Sequence, residues 1–504
     1  MILSSLARTA LALAVLVPLA KAQEGAPART PSAAQRSALA SLEATRVKQQ
    51  ALATRLWEWA ELGLREERSS LALIAFLEAE GFTIERGPSG MPTAFLASWG
   101  SGAPVLAFLS EYDALPELSQ LAEPRLEPRV AGAGGHGCGH NLFGVASAAA
   151  GVALKAAMEA QRLGGTVRIY GTPAEEQGIG KTFLVRDGRF DDVDACLSWH
   201  PAHRNAVLVQ ASKALRSFEI TFHGRAAHAS AAPWEGVSAL DGLEAFCAGV
   251  NLLREHFPET ARVHYVITEG GAAPNIVPAR ARLWGFVRAD DWKQQDKVFR
   301  HVVAIAEGAD RMAWGEEYGD TQRGFRACEI DVLSGLYEYN VNRALAARMH
   351  RAFELVGAPA YSESEQEFGR NLQRAFGLSP KGYPTDVLPF DPQAPPIPGG
   401  STDVANVSWV TPTADVSVAT WPFGVPAHSW ASTAASGAPG GYRAMHTAAQ
   451  VLALTAADLL EDPDALREMR EELQRARERF DYGPPVPKEA TPRLPWHERG
   501  GVKK

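Results

Sequence analysis

Short apolar runs alternate with alanine-rich helical stretches, and residues able to bind first-row metals sit at the joins between them. The runs cover 93–98, 105–109, 167–170 and 195–198, with the helical stretch 143–161 among them. Runs of this length are buried strands, and strands alternating with helices build a parallel or mixed sheet with helices on both faces. Such folds place their sites on loops at one end of the strands. Cys138-Gly139-His140 falls just before the helix, Glu175-Glu176 follows the run ending at Tyr170, and His200 follows the run ending near Trp199.

Apolar residues at helical spacing predict further helices over 36–62 and 69–80. The middle of the chain reads differently. A strand over 215–222, a helix over 237–255, strands near 262–268 and 280–289, a helix over 292–313 and a strand over 329–333 follow in turn. The order β-α-β-β-α-β is that of a ferredoxin-like sandwich. The expected organisation is a catalytic α/β domain, 36–212 and 334–475, carrying an inserted α+β lid over 213–333. A helix over 335–357 resumes the first domain, 359–400 is proline-rich loop, and 443–461 is again helical. Residues 463–475 read as a charged helix, and 476–504 as a polar tail with a disordered end.

A chain of 504 residues needs more than one core. The net charge of −8 argues against a nucleic-acid partner. Four widely spaced cysteines do not form a disulfide framework, and only Cys138 has other metal-binding side chains around it. At the N-terminus an apolar stretch over 10–19 precedes Ala20-Lys21-Ala22, which fits a signal peptide over 1–22 and a flexible leader over 23–35. The expected location is periplasmic or secreted, with an uncleaved anchor or a wrongly assigned start as the alternatives. No later segment reads as a membrane span.

Cys138 as thiolate and neutral His140 and His200 suit zinc or a similar ion, and Glu176 adds an anionic oxygen. With the late His428 the set suffices for a two-metal hydrolase. Glu175, adjacent to Glu176, is left to move protons. Singly, each residue has a plainer reading: a small buried cysteine, a surface acidic pair, a structural histidine. Their joint placement after successive strands favours a metal site. His136, in the same glycine-rich loop, is read as a support to the ligands.

Seven stretches run through the chain in one order: SEYDALP (110–116), GHGCGHNL (135–142), GTPAEEQGIGK (171–181), FHGRAAHASAAPWEGVSALD (222–241), GGAAPNIVP (270–278), GSTDVANVSWVTPT (400–413) and GVPAHSW (424–430). Together they resemble the M20 metallopeptidase and amidohydrolase family, in the branch where cysteine replaces the bridging aspartate. Within it the likeness runs to the group formed by the B-type subunits of p-aminobenzoyl-glutamate hydrolase. The resemblance implies two divalent ions per subunit, zinc or manganese, with Cys138 shared between them and His140, Glu176, His200 and His428 as the other ligands. It implies Glu175 as general base and acid, and Asp113 as the residue that orients a ligand from behind. SEYDALP lacks the histidine that opens the corresponding motif in other branches.

The resemblance also implies that His228 reaches into a partner subunit's site and polarises the scissile carbonyl, so a homodimer is expected. Asn275 is similar to a substrate-contacting asparagine of the family. Arg288 stands where related members hold a substrate carboxylate, although an ordinary exposed strand residue is an equal reading. The expected substrate is an N-acyl amino acid of the p-aminobenzoyl-glutamate kind, with β-alanyl or other dipeptides as the runner-up. Two rivals belong to other classes: a non-catalytic binding protein with the same fold, and a cysteine hydrolase using Cys138 with a histidine base. Activity is expected to fall in acid as His140, His200 and His428 take up protons.

Overall fold

A computed structural model describes residues 30–480 and 482–495. The signal-peptide reading and most of the expected leader lie outside them. Among the described residues, seven strands form a mixed sheet in the order Thr83–Arg86, Phe95–Ser101, Gly165–Gly171, Val105–Ser110, Ala195–Ala202, Thr413–Ala419, Ala206–Val207. The four strands from Gly165–Gly171 through Thr413–Ala419 run parallel to one another, and the flanking pairs are antiparallel. Val105–Ser110 is buried along its whole length. That explains a continuous apolar run where an exposed strand would alternate. The fold is therefore the mixed α/β sheet with helices that the alternation predicts.

The helix His140–Gln161 packs against this sheet and against the helices Ala33–Trp59 and Pro439–Glu461. It is long and apolar enough to cross a membrane, contrary to the expectation that no later segment would be. Yet 89% of its apolar window is buried inside the protein. Alanine and glycine on its surface let its neighbouring helices and the sheet close around it.

The second sheet has the order Glu329–Leu336, Ala214–His223, Arg280–Ala289, Arg262–Glu269, all antiparallel. The helices Ala239–Leu253 and Trp292–Trp314 pack on it, and Phe218, Phe222, Phe246, Leu283 and Val302 fill a core of its own. This is the β-α-β-β-α-β sandwich read from the sequence.

Several boundaries differ. The first helix begins at Ala33, inside the expected leader, because Ser32 and Gln35 form a capping box. The last lid strand extends to Leu336, so the next helix starts only at Arg343, capped by the Asn342 side chain. The proline-rich stretch contains the amphipathic helix Glu363–Phe376, again opened by a capping box. Residues 482–495 are not a free polar end. Val486 and Leu494 are buried in the main core, and Arg493 bridges Glu219 and Asp331 on the lid sheet. Two apolar side chains among the prolines suffice to anchor a segment that composition marks as polar.

Candidate metal centre

The ends of the parallel strands carry the site. Beyond Val105–Ser110 come Glu111 and Asp113, both buried. Beyond Gly165–Gly171 a short turn, Glu175–Gln177, holds the acidic pair. His200 lies within the strand Ala195–Ala202, paired with Ser417, not on the loop after it. His140 is the first residue of its helix, and Gly139 before it has φ 74°. A side chain at Gly139 would also meet Pro201 at 2.9 Å. Glycine there lets Cys138 and His140 face one space from either side of a left-handed kink.

Two groups of ligand atoms share Cys138. The ligand atoms of Cys138, His140 and His200 lie within 4.8 Å of one another, and so do those of Cys138, Glu176 and His428. Cys138 Sγ is 3.4 Å from His200 Nε2. His428 Nε2 is 3.4 Å from Glu176 Oε2. His428 adopts φ 57°, an uncommon backbone for a residue other than glycine, and its N–H donates to Gly137 O at 2.9 Å. That bond ties the late loop to the cysteine loop. The acidic pair diverges as adjacent side chains on a tight turn do. Glu176 faces His428, while Glu175 Oε2 lies 3.9 Å from His140 Nε2.

The supports are equally definite. Asp113 Oδ1 meets His140 Nδ1 at 2.9 Å, and Oδ2 accepts the Glu176 backbone N–H at 3.0 Å. His200 Nδ1 meets Pro201 O at 2.7 Å. Both rings thus turn Nε2 toward the shared space. His136 belongs to none of the ligand groups. Its Nε2 meets Leu56 O at 3.0 Å, which fastens the glycine-rich loop to the first helix.

Electrostatics match a cation site. Burial, then neighbouring His140, lowers His200 to about 4, so the ring is neutral as a ligand must be. Burial lowers His428 as well. Burial would raise Asp113, but the adjacent His140 holds it low and ionised. Burial, then Glu111, pushes Glu175 up to about 7. Burial, then Glu176, pushes the Cys138 thiol up. Three atoms at the centre, Glu111 Oε2, His140 Nε2 and Glu176 Oε1, are buried without a hydrogen bond. Buried polar atoms left this way are costly unless a cation meets them. A soft thiolate, imidazoles and carboxylates are a donor set that fits divalent transition ions.

Two residues escape the sequence reading. Glu111 and the fully buried Lys181 meet at 2.8 Å, and Lys181 also pairs with Asp403 at 2.6 Å. The position of Glu111, two before Asp113, is the available signal; Lys181 stands at the end of GTPAEEQGIGK with no periodicity to mark it.

The lid residues His228, Asn275 and Arg288 belong to none of the ligand groups. His228 is exposed and forms a β-bridge with Ile276, and Asn275 O accepts the Ala229 N–H beside it. Arg288 is half-buried, with Nη1 3.4 Å from Ser401 Oγ, two residues before Asp403.

Residues 210–311 match the M20 peptidase dimerisation domain. Over 479 residues the chain is 36% identical to the B-type subunit of p-aminobenzoyl-glutamate hydrolase from Escherichia coli K12, covering 90% of this chain and 97% of that one. The chain belongs to the M20 family. It is a hydrolytic enzyme acting on amide bonds. Another M20 relative, the Xaa-Arg dipeptidase of Mus musculus, is 30% identical over 84% of this chain and 88% of its own. The M20 fold is seen in a dinuclear metal-binding peptidase of Bacillus subtilis, TM-score 0.51 at 20% identity over 83% of this chain and 99% of that one. It is seen too in the aminobenzoyl-glutamate utilization protein of Klebsiella pneumoniae, TM-score 0.55 at 17% identity over 83% and 97%.

Proposed function

We propose that this protein is an exported, homodimeric, two-metal amidohydrolase that releases a free amino acid from an N-acyl amino acid of the p-aminobenzoyl-glutamate kind. The observation that carries the reading is Cys138 shared between two groups of ligand atoms. Cys138, His140 and His200 would hold one ion, and Cys138, Glu176 and His428 the other, zinc or manganese. Divalent ions there supply Lewis-acid polarisation of the scissile carbonyl and acidify a water molecule.

The chain's own residues do the rest. Glu175 stands beside His140 with an affinity for protons near neutrality. It takes a proton from the attacking water and returns it to the leaving amine. Asp113 keeps His140 turned toward the ion and, through the Glu176 N–H, fixes the acidic turn. His228 from a second copy donates to the developing oxyanion. Asn275 and Arg288 contact the substrate, the guanidinium gripping its carboxylate. The name of the Escherichia coli relative supports the aromatic acyl group, and that of the mouse relative supports dipeptides as the second reading. A binding protein without activity is disfavoured by the retention of Glu175 and all five ligands. A cysteine nucleophile is disfavoured because Cys138 belongs to both groups of ligand atoms, a placement a nucleophile does not need.

The test is metal analysis of the purified protein with a screen of p-aminobenzoyl-glutamate and β-alanyl dipeptides. Two ions per chain and chelator-sensitive hydrolysis are expected. Activity that survives exhaustive EDTA but is lost to iodoacetamide would establish the thiol mechanism instead.

A further inference from the structure

The buried charges beside the two ligand groups do not balance. Lys181 carries a single positive charge and faces two carboxylates. Asp403 takes it at both ends, with Oδ1 2.6 Å from Nζ and Oδ2 accepting the Lys181 backbone N–H at 2.9 Å. Glu111 Oε1 lies 2.8 Å from the same Nζ. Among the described residues, the Glu111–Lys181–Asp403 trio, taken as ionised, holds one negative charge more than it holds positive. All three side chains are buried.

That excess is aimed at one place. Glu111 Oε2 is 3.2 Å from His140 Nε2, and neither atom makes a hydrogen bond. The ligand atoms of Glu111, His140 and Glu175 form a third group within 4.8 Å of one another. It overlaps the group of Cys138, His140 and His200 through His140. Oε2 of this buried carboxylate needs a positive partner, which a protonated His140 supplies in the metal-free chain and a divalent ion bound to His140 would supply in its place.

We propose that Glu111 is a further carboxylate of the metal centre on the His140 side, and that Lys181, clamped by Asp403, is the positioning residue that holds it there. The inference rests on the two-metal reading and deepens it. Lys181 occupies Oε1, so the carboxylate cannot rotate away, and Oε2 stays toward the ion. Asp403 spends the lysine charge, so Lys181 orients Glu111 without cancelling it.

The experiment titrates zinc into metal-free protein against a competing chelator and reads two stepwise affinities, with the melting temperature of the metal-free form alongside. Glu111→Gln is expected to weaken one step by about tenfold or more, as the loss of a ligand-supporting group does, and to leave the other step unchanged, with the metal-free melting curve serving to show that the variant folds. Lys181→Met is expected to weaken the same step. Should Glu111→Gln not fold, Glu111→Asp decides, because it keeps the charge and withdraws it by one methylene; the same step weakens. Two wild-type steps in either Glu111 variant would overturn the proposal alone. A wild-type protein that takes up a single ion would overturn the two-metal reading and this proposal with it.

Discussion

Asp113 holds His140 through Nδ1 at 2.9 Å and, with its other oxygen, the backbone N–H of Glu176 at 3.0 Å. One carboxylate thus sets the orientation of a ring on one side of Cys138 and of the acidic turn on the other. Asp113→Ala is expected to lower metal affinity by roughly ten- to a hundred-fold, measured by competition with a chelator. Wild-type affinity in this variant would remove the positioning role.

Glu175→Gln should separate chemistry from metal binding. The amide keeps the shape but cannot accept a proton from water. Turnover is expected to fall by roughly a hundred- to ten-thousand-fold with metal content unchanged. Retained turnover would assign the proton transfer elsewhere.

The pH profile follows from two shifts. Glu175, pushed up to about 7 by burial and by Glu111, accepts a proton only when ionised. Activity is therefore present above that value and lost as pH falls through it. His200, lowered to about 4 by burial and by His140, is still neutral in that range. The acid limb of kcat/KM is expected near neutrality and belongs to Glu175, not to protonation of His200. A limb near 4 would contradict it.

His228 is exposed on the lid and belongs to none of the ligand groups of its own chain. If it serves a partner's centre, His228→Ala and Glu175→Gln are each inactive alone and regain activity when mixed, because one site of the mixed dimer is intact. Subunit exchange is checked by native mass spectrometry. Exchange without recovery would place His228 in its own subunit's chemistry.

Residues 482–495 join the two domains. Val486 and Leu494 are buried in the main core, and Arg493 lies 3.0 Å from Glu219 and 2.5 Å from Asp331 on the lid. Deleting residues 482–504 is expected to cost about 3 kcal/mol or more, from the two apolar side chains. Arg493→Ala alone is expected to cost about 1 kcal/mol. Denaturant titration measures both; an unchanged midpoint after the deletion would show that the segment contributes nothing.

Much of the fold is legible in the sequence because its signals are local. The run at 105–109 is apolar throughout since the strand is covered on both faces. The lid order is readable because its strands alternate in burial, as Arg280–Ala289 does at every second residue. The strand Thr413–Ala419 escapes that reading, because Thr, Asp and Ser alternate with its apolar residues although most of it is buried. The helix Glu363–Phe376 is hidden by the prolines that follow it.

By itself the sequence determined which side chains could bind metal and that they fall at the ends of strands, because residue chemistry and hydrophobic period are properties of short segments. Only the tertiary structure decided that His428 closes on Cys138, that Asp113 serves both sides of it, and that Lys181 lies between Glu111 and Asp403. Those meetings join segments far apart in the chain. They depend on the packing of four parallel strand ends, which no local pattern records.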